Sequence, residues 1–129
     1  YVPEEDLRLG LYRRMAGVTT IEEIQRMQRE LEDRFGALPE PAENLLYLLR
    51  LKVLATAAGV QVVTTEGNRP VIGLGSVGEV KRRREKGHLP TEAKVVNDHL
   101  VLPTSLEHPT WRRQLEETLR AMANRRQPV

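Results

Sequence analysis

The sequence contains no cysteine. That excludes a disulfide scaffold, a zinc–thiolate centre and thiol catalysis, and it fits a reducing cytoplasm, the expected location. No apolar run reaches the roughly 18 residues that a membrane span needs. The longest candidate, Leu45 to Val60, is interrupted by Arg50 and Lys52. The chain opens Tyr1-Val2-Pro3-Glu4, with neither a methionine nor a basic stretch. It therefore does not read as a signal peptide but as a cut within a longer protein. A large net charge is also missing: 20 Lys and Arg against 18 Asp and Glu leave +2, which argues against a histone-like or polybasic protein.

The usual marks of catalysis are absent too. No Gly-x-x-x-x-Gly-Lys-Ser/Thr occurs, so a phosphate loop is excluded. Gly73, Gly75 and Gly78 have the spacing of a dinucleotide fingerprint. The short helix that follows does not lead back to a parallel strand, however, and a turn plus a helix cap accounts for them better. His88, His99 and His108 form no i, i+4 pair, so no metal site is expected. Ser76 and Ser105 lack a nucleophile-elbow context. Neither an enzyme nor a cofactor is expected.

What is present is one domain's worth of chain. It has 129 residues, of which 40% are apolar. Charge is unevenly spread: residues 1–65 carry 8 basic and 10 acidic groups (net −2), and residues 66–129 carry 12 and 8 (net +4). The first 59 residues predict three helices. Leu7, Leu11 and Met15 share one face over residues 5–16. Thr20-Ile21-Glu22-Glu23 is a capping box that opens a helix to Phe35, closed by Gly36. Its apolar stripe is Ile21, Ile24, Met27, Leu31 and Phe35. Leu38-Pro39-Glu40-Pro41 leads into a third helix from about Pro41 to Ala58, stopped by Gly59. That helix is apolar nearly all round and is expected to be central and buried.

From residue 60 the period changes. Val60 to Thr65 and Pro70 to Leu74 predict a hairpin around Glu66-Gly67-Asn68. Ser76 to Glu79 is a second capping box, opening a charged helix to about Lys86. Lys94–Val96 and His99–Leu102 flank a two-residue turn at Asn97-Asp98. A last helix runs from near Pro109 to about Asn124, with Trp111, Leu115, Leu119 and Met122 on its inner face. The expected fold is α+β: three N-terminal helices, then ββ-α-ββ-α with a small antiparallel sheet. Leu31, Phe35, Leu46, Leu49 and Leu115 are the expected core.

Two surfaces stand out. Lys81-Arg82-Arg83-Arg84-Glu85-Lys86 reads either as a solvated helix face or as a set of nucleic-acid backbone contacts, with roughly three phosphates in reach. No aromatic residue interleaves, so base stacking is not indicated. Glu30 and Asp33 lie off the apolar stripe, three residues apart, so their carboxylates can be presented together. The same spacing allows self-pairing through Arg26–Glu30, Arg29–Asp33 and Glu30–Arg34.

Three stretches carry a family resemblance: Leu7-Arg8-Leu9-x-Leu11-Tyr12-Arg13-Arg14, Glu30 through Pro41, and the leucine-rich helix around Leu49-Arg50-Leu51. Together they closely resemble the C-terminal domain of bacterial transcription-repair coupling factors, the TRCF domain. Asp33-Arg34-Phe35-Gly36-x-Leu38-Pro39-x-Pro41 is the most specific part. The match is close over residues 1–59, looser to about 124, and departs from the family after residue 75, where Val77 to Lys86 lacks the family's aromatic and leucines. The resemblance implies that residues 1–129 are the C-terminal regulatory domain of a DNA translocase, with 1–4 the end of a linker from the motor and 125–129 a disordered tail. It further implies a non-catalytic, autoinhibitory role, docking on a UvrB-like N-terminal module and masking the surface that UvrA would use until RNA polymerase is engaged. By motif position, Glu30 and Asp33 would meet arginines of that module. UvrA and RNA polymerase would be partners only through the parent protein. The alternative is an auxiliary nucleic-acid-binding module using Lys81, Arg82, Arg83, Arg84 and Lys86.

Overall fold

A computed structural model describes the backbone of residues 5–126 and the side chains of residues 9–124. The proposed linker, 1–4, lies outside the described residues. Of the proposed tail, 125–129, only the backbone of 125 and 126 is described, and it continues the last helix. The chain divides into two compact units, Tyr1–Val53 and Leu54–Val129.

The first unit is helical: α1 spans Glu5–Ala16, α2 Ile21–Phe35, and α3 starts at Glu40 and continues to Ala58. The Thr20 cap forms as its sequence requires, with the Oγ1 accepting from the Glu23 backbone N–H at 3.2 Å. The box closes differently from its usual form. The Glu23 carboxylate accepts from the Thr19 and Thr20 hydroxyls, each at 3.2 Å. Gly36 ends α2 at φ +82°, its N–H donating to the Glu32 carbonyl at 2.8 Å. A left-handed residue is needed there, and glycine supplies it without steric cost. At the start of α3 the Pro39 carbonyl accepts from Ala42 and Glu43, and Pro41 sits in the first turn, where its missing N–H costs nothing.

The α2 stripe packs as its period demands. Ile24, Met27 and Leu31 are buried with Val18 and Leu46, and Leu11, Met15, Ile21, Phe35 and Leu49 pack around that cluster, partly exposed. Phe35 and Leu49 are thus rim residues rather than centre, a correction to the expected core; Leu31, Leu46 and Leu115 are buried. The side chain of Leu7 lies outside the described residues. A second correction concerns α3, which is not buried all round: Leu48 is 59% exposed and Leu45 is exposed too, while Leu46, Tyr47, Leu51 and Leu54 are buried. Apolar composition alone does not say which leucines of a helix find a neighbour.

The second unit holds a four-stranded antiparallel sheet with strand order β1-β2-β4-β3. Its strands are β1 Val62–Glu66, β2 Arg69–Gly73, β3 Lys94–Val96 and β4 His99–Val101. Both hairpins expected from the sequence are present, and the two are joined through β2 and β4, with Ile72 opposite Leu100. Asn97 turns the second hairpin at φ +52°, a conformation asparagine tolerates better than most residues. Val71, Ile72, Leu74, Leu100, Leu102, Leu115, Leu119 and Met122 are buried. Helix α4 spans Val77–Glu85 behind its Ser76 cap, and α5 spans Trp111–Arg126, ending two residues later than the sequence suggests. The α+β order of elements is as expected.

Candidate docking face

Glu30 and Asp33 sit in the last two turns of α2, off its packed stripe, with Glu30 on the flank toward α1. Burial of Ile24, Met27 and Leu31 turns one side of the helix inward and leaves Glu30 and Asp33 exposed. The three intrahelical pairings allowed by spacing do not form within 4 Å among the described residues. Instead Glu30 Oε2 accepts from Arg14 Nη1 of α1 at 2.7 Å. That hydrogen bond, chiefly, holds the Glu30 carboxyl below its ordinary pKa, with smaller contributions from the charges of Arg14, Arg26 and Arg34. Both members stay about half exposed, so the ion pair adds little to stability. Asp33 makes no hydrogen bond or ion pair among the described residues. The face therefore offers one free carboxylate and one that shares its charge with a neighbouring arginine. Both can accept charge-assisted hydrogen bonds from guanidinium groups.

Sequence reasoning missed Arg14. It stands sixteen residues from Glu30 on another helix, and no spacing rule connects them. Only the packing of Leu11 and Met15 against the α2 stripe brings that turn of α1 alongside.

The basic segment is rearranged more deeply. Lys81, Arg84 and Lys86 are exposed. Arg82 donates through both Nε and Nη2 to Glu79, at 3.0 and 2.6 Å. Arg83 is only 5% exposed, and its Nε donates to Glu79 at 2.8 Å and its Nη2 to the Gly59 carbonyl at 3.0 Å. It therefore caps the end of α3 rather than facing outward. Hydrogen bonds from Arg82 and Arg83 lower the Glu79 pKa to about 2. The five cations thus do not form one continuous stripe. Among the described residues no group of three His, Cys, Asp or Glu side chains could hold a metal ion, and no helix is long and apolar enough to cross a membrane.

The fold sets the class first: an α+β domain of three helices leading into ββ-α-ββ-α, with an acidic helix face. Comparison with known proteins then sets the family. The TRCF domain family matches residues 1–84, which is well over half of the chain, and the chain belongs to that family. The match runs through nearly all of α4, past the residue 59 to which the close resemblance extends. The transcription-repair-coupling factor of Escherichia coli K12 is 36% identical over 89 residues, 69% of this chain and 7% of that protein. The factor of Mycobacterium bovis is 42% identical over 64 residues, 50% of this chain and 5% of that protein. That of Rickettsia bellii is 35% identical over 72 residues, 56% of this chain and 6% of that protein. The chain thus spans between 5% and 7% of the length of these relatives.

Proposed function

We propose that residues 1–129 act as the C-terminal regulatory domain of a transcription-repair coupling translocase, without a catalytic role of their own. In this reading the domain docks through Glu30 and Asp33 on the UvrB-like module of the same polypeptide. Docking masks the surface that UvrA would use, until engagement of RNA polymerase releases it. One observation carries the reading: in the stretch from Glu30 to Pro41 that carries the family resemblance, two carboxylates stand outward on one helix, and Asp33 has no partner among the described residues. A pair of exposed carboxylates contributes little to a fold but suits arginines on a partner, where each can form paired charge-assisted bonds.

The direct test titrates the 129-residue chain against the isolated UvrB-like module. Wild type binds; Glu30→Ala/Asp33→Ala loses binding with its melting transition intact. Unchanged affinity of the double variant would remove both residues from the interface. The auxiliary nucleic-acid reading, in which one basic stripe reaches several backbone phosphates, is less well supported, because Arg83 is buried and Arg82 is held by Glu79.

A further inference from the structure

The end of α4 encloses something more specific than a basic stripe. A cavity of about 230 Å³ is lined by Arg82, Arg83, Lys86 and His88, with Met122 of α5 as its apolar wall. Three of the five lining residues are permanent cations and a fourth is an imidazole. Glu79 offsets one of those charges and is not itself part of the lining.

Arg83 is the unusual member. A buried cation is costly unless it is paired, and here two of its nitrogens are fixed by Glu79 and the Gly59 carbonyl. Its third nitrogen, Nη1, makes no hydrogen bond among the described residues. A guanidinium anchored on one edge presents its remaining N–H donors in a set direction. Such a preorganised fork suits a tetrahedral oxyanion better than a flexible ammonium does.

The location would ordinarily disfavour an anion, since a helix C-terminus carries partial negative charge on its free carbonyls. Here three of those carbonyls accept hydrogen bonds from the turn that follows. Arg82 O accepts from Lys86 N at 3.2 Å, Arg84 O from Gly87 N at 3.1 Å, and Arg83 O from His88 N at 2.8 Å. Gly87, at φ +71°, makes that closure sterically free. The same turn carries Lys86 and His88 to the cavity.

We propose that this cavity binds a single phosphate group, either free inorganic phosphate or one phosphate of a nucleic-acid backbone. The site is independent of the Glu30/Asp33 face and does not rest on the docking reading.

The test is a nuclear magnetic resonance titration of the isotope-labelled 129-residue chain with inorganic phosphate, against sodium chloride at matched ionic strength. The expected result is saturable, phosphate-specific shifts of the amides of residues 82–88 and of Met122. Lys86→Ala/His88→Ala keeps the backbone hydrogen bonds of the turn and removes two rim contacts. It should weaken phosphate binding about tenfold or more with the melting transition unchanged. Arg83→Lys keeps the charge and removes the fork; should it unfold the chain, the rim variant still decides. Phosphate shifts no larger than those of chloride, or equal phosphate affinity in the rim variant, would overturn the proposal. A short duplex oligonucleotide separates the sources. Displacement of phosphate from the same residues, lost in the rim variant, identifies a backbone phosphate; phosphate binding that the duplex leaves undisturbed identifies a free anion.

Discussion

Glu79 shows how much one side chain can organise on a small helix. Its backbone N–H is capped by Ser76, and its carboxylate receives Arg82 and the buried Arg83. Its pKa falls from 4.5 to about 2 on folding. A depressed carboxyl pKa contributes stability that is complete above the unfolded value and is lost as pH falls through the folded one. The window here runs from pH 4.5 down to about 2. Glu79→Gln should remove that component, so the melting temperature of the variant falls less steeply than that of wild type across this window. Parallel curves would mean that Glu79 is not tied to its arginines in solution. Burial grades a second pair of residues. Leu31 is buried and Phe35 sits at the rim. Leu31→Ala should cost about 2–5 kcal/mol, whereas Phe35→Ala should fall below the roughly 3–5 kcal/mol of a fully buried phenylalanine. Denaturant midpoints of the two variants check the ordering.

Elements were the most legible level in the sequence. Caps at Thr20 and Ser76, stops at Gly36, Gly59 and Gly87, and the Asn97-Asp98 turn each rest on a local rule, and each has its structural counterpart. What local rules do not reach is the pairing of elements. The junction of β2 with β4 depends on pairs between 26 and 30 residues apart, from Gly73 with His99 to Val71 with Val101. The exposure of Leu48 depends on which side of α3 meets a neighbour. The surroundings of the candidate face are legible in part for the same reason: the α2 stripe puts Glu30 and Asp33 outside, but Arg14 reaches Glu30 only through packing. Gly73 is another such case. It reads locally as a hairpin residue, yet it lies opposite Val62 in the β1–β2 pair. A Cβ built on it would come within 2.6 Å of Val62 Cγ1. Gly73→Ala should therefore destabilise by about 1–3 kcal/mol, the usual cost of overpacking. Val62→Ala should relieve most of that in the double variant, a coupling that a mutant cycle in urea measures directly. Additive costs would show that the strand absorbs the methyl elsewhere.

For the whole molecule, the proposed docking requires that a small acidic face hold a long protein closed and still let go. A contact tethered by a short flexible linker sees an effective concentration on the order of millimolar. A dissociation constant of about 10 μM between separated pieces would then keep roughly 99% of molecules closed, while leaving the contact open to a competitor offering a few kcal/mol. Nanomolar affinity between the separated chain and the UvrB-like module would contradict a releasable clamp. Arg14 makes the site assignment sharper, because it already occupies one oxygen of Glu30. In the proposed docking, a partner arginine would share that carboxylate or displace Arg14. Arg14→Ala leaves Glu30 ionised and unshared, so docking should be unchanged or tighter, with little effect on stability because the pair is exposed. Arg29→Ala removes a neighbouring cation but neither proposed carboxylate, and should leave docking intact. Glu30→Ala/Asp33→Ala should abolish docking, since losing one member of a desolvated charge pair typically costs about 2–5 kcal/mol. The three variants together separate an interface from a merely charged helix. A general electrostatic attraction would make both arginine variants bind more tightly and the double variant only weaken in proportion to charge. A specific interface makes Arg29 silent and the two carboxylates decisive. Binding of the three variants to the UvrB-like module at two ionic strengths distinguishes the cases, because screening erases the first pattern and leaves the second.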